Sequence, residues 1–318
     1  MTYYTIFGGC LRSDQLPFPE LPASSRRNPD WCLSVVNQPR GRVEGELLGA
    51  CHFPGCEIAL YRNETGFSLS HSCTGEFTIS RDGSRIVWYP CENSLPEVAR
   101  VDVLGRVLSV ALHAGGSLPL HGSAVQFDTG VVTFIAPKRH GKSTLAAALV
   151  RAGARLVTDD TLAVDPGPPA MAHSGIHSMR LCTDSAERLI EARLRSSLGT
   201  DGKYVIDNRT AEEVMCGSQR LAAVYVLDSI GAASSAEPAV RTLLPPSTAV
   251  VPILTHSKIG GLLGRTEAHV LFGLAARLAA TVPVYRLEVI RDLDCLDEVA
   301  EVISGWHTTR ALVSAGIA

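Results

Sequence analysis

Residues 131–160, VVTFIAPKRHGKSTLAAALVRAGARLVTDD, constrain this chain more than any other stretch. Residues 131–135 are β-branched and aromatic, which predicts a short buried strand. They run into Ala136-Pro137-Lys138-Arg139-His140-Gly141-Lys142-Ser143, a variant of the P-loop pattern with Ala where the first Gly is usual. In such a loop the backbone N–H groups turn inward and the following helix presents its positive end. The Lys reaches the β- and γ-phosphates, and the hydroxyl holds magnesium. A Gly-Lys-Ser turn alone can be an ordinary turn; the strand before it and the helix after it are the context the motif requires. Residues 143–152 are rich in Ala and Leu, strong helix formers, and Gly153 is placed to end the helix in a left-handed cap. The implied ligands are ATP and Mg²⁺, and residues 136–143 with Thr144 form the expected cradle. Lys138, Arg139 and His140 either add positive charge over the phosphates or are solvated loop side chains.

The distance from Lys142 to Asp159-Asp160 adds a geometric argument. A helix of ~10 residues advances ~15 Å away from the phosphates. A strand over 155–158 travels back ~13–16 Å. The two displacements nearly cancel, so both carboxylates return to the mouth of the loop. Side by side near a triphosphate they repel, unless a metal lies between them or one keeps a proton. One carboxylate on magnesium and one deprotonating a hydroxyl is the division of labour that suits phosphoryl transfer. We assign Ser143 and Asp159 to the metal and Asp160 to the base; the two aspartates can exchange roles. The alternative is an Asp-Asp turn closing a hairpin into residues 161–164.

His121-Gly122-Ser123, the loop, and Leu156-Val157-Thr158-Asp159-Asp160 together resemble the carboxy-terminal catalytic domain of HPr kinase/phosphorylase, whose fold is related to that of phosphoenolpyruvate carboxykinase. The motif match covers residues 121–160, and a weaker likeness extends to about residue 305. The resemblance implies an α/β P-loop kinase domain of this type behind an N-terminal β-rich domain, with His121 assisting at the γ-phosphate. That family carries a Glu-Ile-Arg-Gly-type signature after the Asp pair, and residues 166–189 contain none. Met179-Arg180-Leu181, residues 184–189 and 282–287, and the opening YYTIFGGCLRSDQLPFPEL are instead similar to HPr-kinase-like proteins of lasso-peptide biosynthesis. Those proteins phosphorylate the C-terminal Ser of a precursor peptide. By this resemblance the partner is a precursor peptide, the acceptor its serine hydroxyl, and Arg180 a contact for the transferred phosphate or the peptide. Two alternatives stay open: an HPr(Ser) kinase proper, and a nucleotide-gated binding or regulatory module that transfers nothing.

At 318 residues and 46% hydrophobic composition the chain has room for two cores. We expect a β-rich domain over 1–117 and the catalytic domain over 118–318. A formal net charge of −3 offers no electrostatic case for nucleic acid or an anionic membrane. No apolar run approaches ~18 residues, and the first residues lack the basic start and apolar core of a secretion signal. A cytoplasmic protein is expected, with homo-oligomerisation left open. The nine cysteines are expected as free thiols, used mainly as small buried apolar residues. Cys51-His52 with Cys56 lacks the partner pair of a zinc site.

In the first part, strands are expected at 3–7, 57–61, 67–70, 77–80 and 86–89, with a hairpin turn at Arg81-Asp82-Gly83-Ser84. Residues 16–37, with four prolines, read as an exposed excursion. A buried helix is expected over 97–112, carrying Val98 and Val101 inside and ended by Gly115-Gly116. Further on, 166–169 and 175–177 suggest a lid or substrate groove. Residues 185–197 suggest a surface helix, and 199–209 a polar loop with Lys203 as a lesser phosphate contact. Residues 221–227 suggest a core strand and 231–238 a mobile loop. An amphipathic helix over 264–280 places Val270, Leu271, Leu274 and Leu278 inside. A strand over 282–289 and a helix over 296–303 close the chain.

Overall fold

The computed structural model describes residues 1–38, 44–53, 55–190, 202–207, 214–230 and 237–308, with the backbone alone at 195–198 and 229–230. Eight strands form the first sheet: β1 (Thr2–Ile6), β2 (Gly9–Ser13), β3 (Trp31–Val35), β4 (Glu46–Phe53), β5 (Cys56–Asn63), β6 (Gly66–His71), β7 (Gly75–Ser80) and β8 (Arg85–Pro90). Their order is β1-β2-β3-β8-β7-β6-β5-β4. The five expected strands are present, and β2, β3 and β4 add to them. Gly, Cys and Ser dilute the period-two pattern in those three, so their strand character comes from pairing with neighbours.

Residues 16–37 are not an exposed excursion. Leu16, Phe18 and Leu21 are buried, the Tyr4 and Phe18 rings meet edge-on at 5.6 Å, and residues 31–35 are a strand. The prolines fix bends between apolar anchors that the core then takes in. Against this sheet lie α1 (Pro96–Asp102), a π-helical turn (Val103–Val107) and α2 (Leu108–Ala114), burying Ala99, Val103, Leu104, Val107 and Leu108. Val98 and Val101 face solvent instead, Val101 at 62% exposure, because they lie on the opposite side of the helix from that stripe.

The second sheet holds the motif. Its strands are β9 (Leu118–Phe127), β10 (Gly130–Ile135), β11 (Arg155–Thr158), β12 (Thr161–Asp165), β13 (Met171–His173), β17 (Ser218–Ile230), β18 (Ala239–Leu243) and β19 (Val284–Ile290). A three-stranded sheet of order β14-β16-β15 stands beside it, built from β14 (Ser178–Cys182), β15 (Arg195–Leu198) and β16 (Lys203–Asp207). β10 is buried along its whole length and runs parallel to β17 and antiparallel to β9, which accounts for its continuous apolar run.

Helices α3 (Lys142–Arg151) and α7 (Leu296–His307) cover one face of the second sheet; α5 (Pro246–Thr255) and α6 (Arg265–Thr281) cover the other. The result is a mixed α/β chain with several sheets. In α6, Leu271, Leu274 and Leu278 are buried, but Val270 is 48% exposed at the edge of the apolar stripe. Helix α4 (Thr183–Leu189) both starts and ends earlier than expected, and residues 195–197, expected at the end of that helix, belong to strand β15 paired with β16; residues 191–194, and the loop at 231–236, lie outside the described residues. Lys203 begins strand β16, so the expected polar loop is in part a strand paired with β14. Of the segments expected as a lid or groove, 175–177 is tied down: Gly175 N–H donates to the Val157 carbonyl at 3.2 Å and His177 Nε2 lies 3.0 Å from the Met215 carbonyl, while β13, between the two segments, pairs with both β12 and β17.

The cysteines remain thiols, but only Cys10 is fully buried; Cys73, Cys182 and Cys216 are exposed. Among the described residues, no helix is long and apolar enough to cross a membrane.

Candidate active site

Helix α3 has the ten residues that the spacing argument assumed, and β11 spans 155–158 as expected. Gly153 adopts φ +102°, the left-handed conformation needed to reverse the chain there. The alternative of a hairpin between β11 and β12 does not hold. The two strands run in the same direction along β9: Thr158 is opposite Ala124 and Thr161 opposite His121. Asp159 and Asp160 occupy the gap between them, facing Ser123 and Gly122.

This explains the local sequence His121-Gly122-Ser123. The Ser123 hydroxyl donates to Asp159 Oδ1 at 2.6 Å, and Gly122 N–H donates to the Asp160 carbonyl at 3.2 Å. His121 Nδ1 lies 3.4 Å from Asp160 Oδ1. A Cβ on Gly122 would sit 2.7 Å from the Phe134 carbonyl oxygen, so glycine is what lets β9 approach β10 beside the loop.

The loop from Ala136 to Gly141 leads into α3, with Gly141 at φ +87° as the residue before the helix and Arg139 at φ +66°. Lys138 and Arg139 are exposed, and His140 Nδ1 lies 3.1 Å from the Lys138 carbonyl. The Lys142 ammonium is buried and donates to the Ala136 and Pro137 carbonyls at 2.8 and 3.1 Å. Burial pushes its pKa down to about 8, opposed by Asp159 and assisted by Lys203. Thr144 is turned toward Ser185, the two hydroxyls 2.9 Å apart, rather than into the loop.

The two aspartates have opposite environments. Burial raises the Asp159 carboxyl, and hydrogen bonds from Ser123, the Arg180 N–H at 2.9 Å and Ser143 only partly offset it. Burial also raises Asp160, but Lys258 and His121 outweigh it and hold this carboxyl far below its usual range. Lys258 Nζ reaches Asp160 Oδ1 at 2.6 Å. Sequence reasoning missed Ser123 and Lys258 as functional contacts. The segment carrying Lys258 is delivered by main-chain bonds along the start of β9: His121 N–H donates to the His256 carbonyl at 2.7 Å, and Lys258 N–H to the Pro119 carbonyl at 2.9 Å. Its one sequence signal is the polar Thr-His-Ser-Lys interruption after an apolar helix. His256 is pushed down to about 4, first by burial and then by Lys142, His121 and His140, so it is neutral near pH 7.

Ser143 and Asp159 therefore form an oxygen donor set beside the amide-lined start of α3, with Lys142 adjacent and Asp160 anionic next to it. Hard divalent cations such as Mg²⁺ take oxygen ligands of this kind. Arg180 enters this arrangement through its backbone N–H, and its side chain is exposed. A cavity of about 440 Å³ lies elsewhere, between the first sheet and α6, lined by Arg62, Phe67, His113 and Glu267.

No family model matches this chain, and no curated protein matches it. Among solved structures it is similar to the HPr(Ser) kinase/phosphatase from Coxiella burnetii, at 14% identity and a TM-score of 0.32, over 59% of this chain and 96% of that one. A similarity at that level is weak, and the chemistry of the site rests on the residues described above.

Proposed function

We propose that this protein is an ATP- and Mg²⁺-dependent kinase that transfers the γ-phosphoryl group to a serine hydroxyl of a peptide. The observation that carries the reading is the return of Asp159 and Asp160, along β9, to the Lys142-Ser143 end of the loop. The residues fit the ligands: the amides before α3 and the Lys142 ammonium suit a triphosphate, and Ser143 with Asp159 suit the cation. Magnesium bound there would neutralise charge on the transferring group.

Asp160, anionic throughout the working pH range, orients the acceptor hydroxyl and takes its proton. A weak base suffices, because in a loose phosphoryl-transfer transition state the nucleophile gives up little charge early. Lys258 and His121 hold that carboxylate in place. Lys142 follows the charge that develops on the transferred oxygens. The resemblance of residues 3–21, 179–181 and 282–287 to lasso-peptide precursor kinases supports a C-terminal Ser as acceptor.

The test is incubation with γ-labelled ATP and three acceptors: a peptide ending in Ser, the same peptide ending in Ala, and HPr. Label on the Ser peptide alone is expected, and Asp160→Asn should abolish transfer while sparing nucleotide binding. Transfer retained in Asp160→Asn removes this residue from the base role. Label on HPr would indicate an HPr(Ser) kinase. ATP binding with no acceptor labelled would leave a nucleotide-gated module.

A further inference from the structure

The first sheet carries a second cluster of ligand-type side chains, remote in sequence from the loop. Cys56 opens β5, His71 closes β6, and Cys73 lies in the turn between β6 and β7. Their donor atoms all lie within 4.8 Å of one another. His71 Nε2 is 3.4 Å from Cys56 Sγ and Nδ1 is 3.9 Å from it. The cluster joins two positions brought together by strand pairing, since Ile58 is opposite His71 and Ser72 N–H donates to the Glu57 carbonyl at 2.9 Å.

His71 combines a buried carboxylate on one ring nitrogen with two thiols within ligand reach of the ring. The ring is 6% exposed and its Nε2 lies 3.2 Å from Asp102 Oδ1, while Asp102 Oδ2 accepts from the Thr74 hydroxyl at 2.7 Å. A buried carboxylate on one ring nitrogen fixes the tautomer and leaves the lone pair of the other, Nδ1, on the side of the Cys73 turn. A carboxylate behind a metal-bound imidazole raises its basicity in this way. The Cys73 N–H donates to that same Nδ1 at 3.3 Å, a hydrogen bond that a metal at Nδ1 would replace.

We propose that Cys56, His71 and Cys73 form a zinc site that ties the start of β5 to the β6–β7 turn and, through Asp102, to α1. Two thiolates and an imidazole select a borderline-soft cation such as Zn²⁺ over the hard Mg²⁺ suited to Ser143 and Asp159. Zinc bond lengths of about 2.0–2.3 Å put tetrahedral donors about 3.5–3.8 Å apart, so closing the present spread takes small side-chain rotations. Binding replaces two S–H bonds with two Zn–S bonds, releases two protons to solvent and leaves every oxidation state unchanged. The fourth position opens on the exposed Cys73 side and is left to water. The site is independent of the kinase reading, and either can fail without the other.

The experiment is metal analysis of the full-length protein, expressed with Zn²⁺ and purified without chelators, together with the spectrum of the Co²⁺-substituted form. About one Zn per chain and a near-ultraviolet thiolate-to-Co²⁺ charge-transfer band are expected. Both should be lost in Cys56→Ser and in Cys73→Ser and kept in Cys51→Ser, with ATP binding unchanged in all three. If a serine variant does not fold, the wild-type protein decides, by its metal content and by whether a chelator lowers its Tm. Absence of stoichiometric zinc after equilibration, an equal loss in Cys51→Ser, or a Cys56–Cys73 disulfide by peptide mass would each overturn the proposal.

Discussion

Lys258→Met removes the cation beside Asp160 while keeping an unbranched side chain of similar length. In the intact protein Lys258 Nζ contacts both carboxylate oxygens, and the side chains are 16% and 43% exposed. Breaking a fully buried pair costs about 3–5 kcal/mol. With Asp160 open to water on one side, solvent screening reduces the expected loss to about 1–2 kcal/mol at pH 7. The pH dependence has a definite sign. In the wild type the Asp160 carboxyl is depressed, so its contribution is present above the unfolded value of about 3.9 and is lost only as pH falls through the lower folded value. In Lys258→Met the burial contribution is far less opposed, the carboxyl moves up, and protonation relieves the unpaired charge. Urea denaturation should therefore show the variant about 1–2 kcal/mol less stable near pH 7, with the gap closing as pH falls toward about 4.5. A gap that stays constant over that range would show that Lys258 acts through packing and not through the Asp160 charge.

The same geometry sets two further outcomes. Because burial holds Lys142 down to about 8, triphosphate binding should draw a proton onto it. Calorimetry in buffers of different ionisation enthalpy should show net proton uptake near about pH 8.5, little near about pH 6, and neither in Lys142→Met; buffer-independent heats throughout would refute it. Gly122→Ala places a methyl group 2.7 Å from the Phe134 carbonyl and 3.1 Å from Thr133 Oγ1. It should cost about 1–3 kcal/mol and weaken nucleotide binding through displacement of β10, whereas an unchanged Tm would mean β9 and β10 separate freely.

The candidate site was legible where its parts are close in sequence. Strand, loop, helix and returning strand over 131–160 obey local rules of propensity and rise per residue, and α3 and β11 fall at the expected positions. The hairpin alternative fails because β11 and β12 both pair with β9, a long-range choice that no local signal encodes. Thr144 and Arg180 show the same limit. Each lies in or near a motif, but its partner, Ser185 for one and Asp159 at the backbone for the other, comes from elsewhere in the chain. In the first sheet, β2, β3 and the buried Phe18 escaped the pattern because their place is set by neighbouring strands, and β4, largely exposed, is a strand through its pairing with β5.

The sequence alone determined a glycine-containing loop between strand and helix, a helix of set length and an acidic pair returned to its start, because bond geometry fixes how far ten helical residues and four extended ones travel. Tertiary structure decided what those acids are. It brought Lys258 to Asp160 and Ser123 to Asp159, and so gave two adjacent, chemically identical carboxyls opposite proton affinities. Proton affinity depends on the charges and dipoles within a few ångströms, and chain folding sets that neighbourhood.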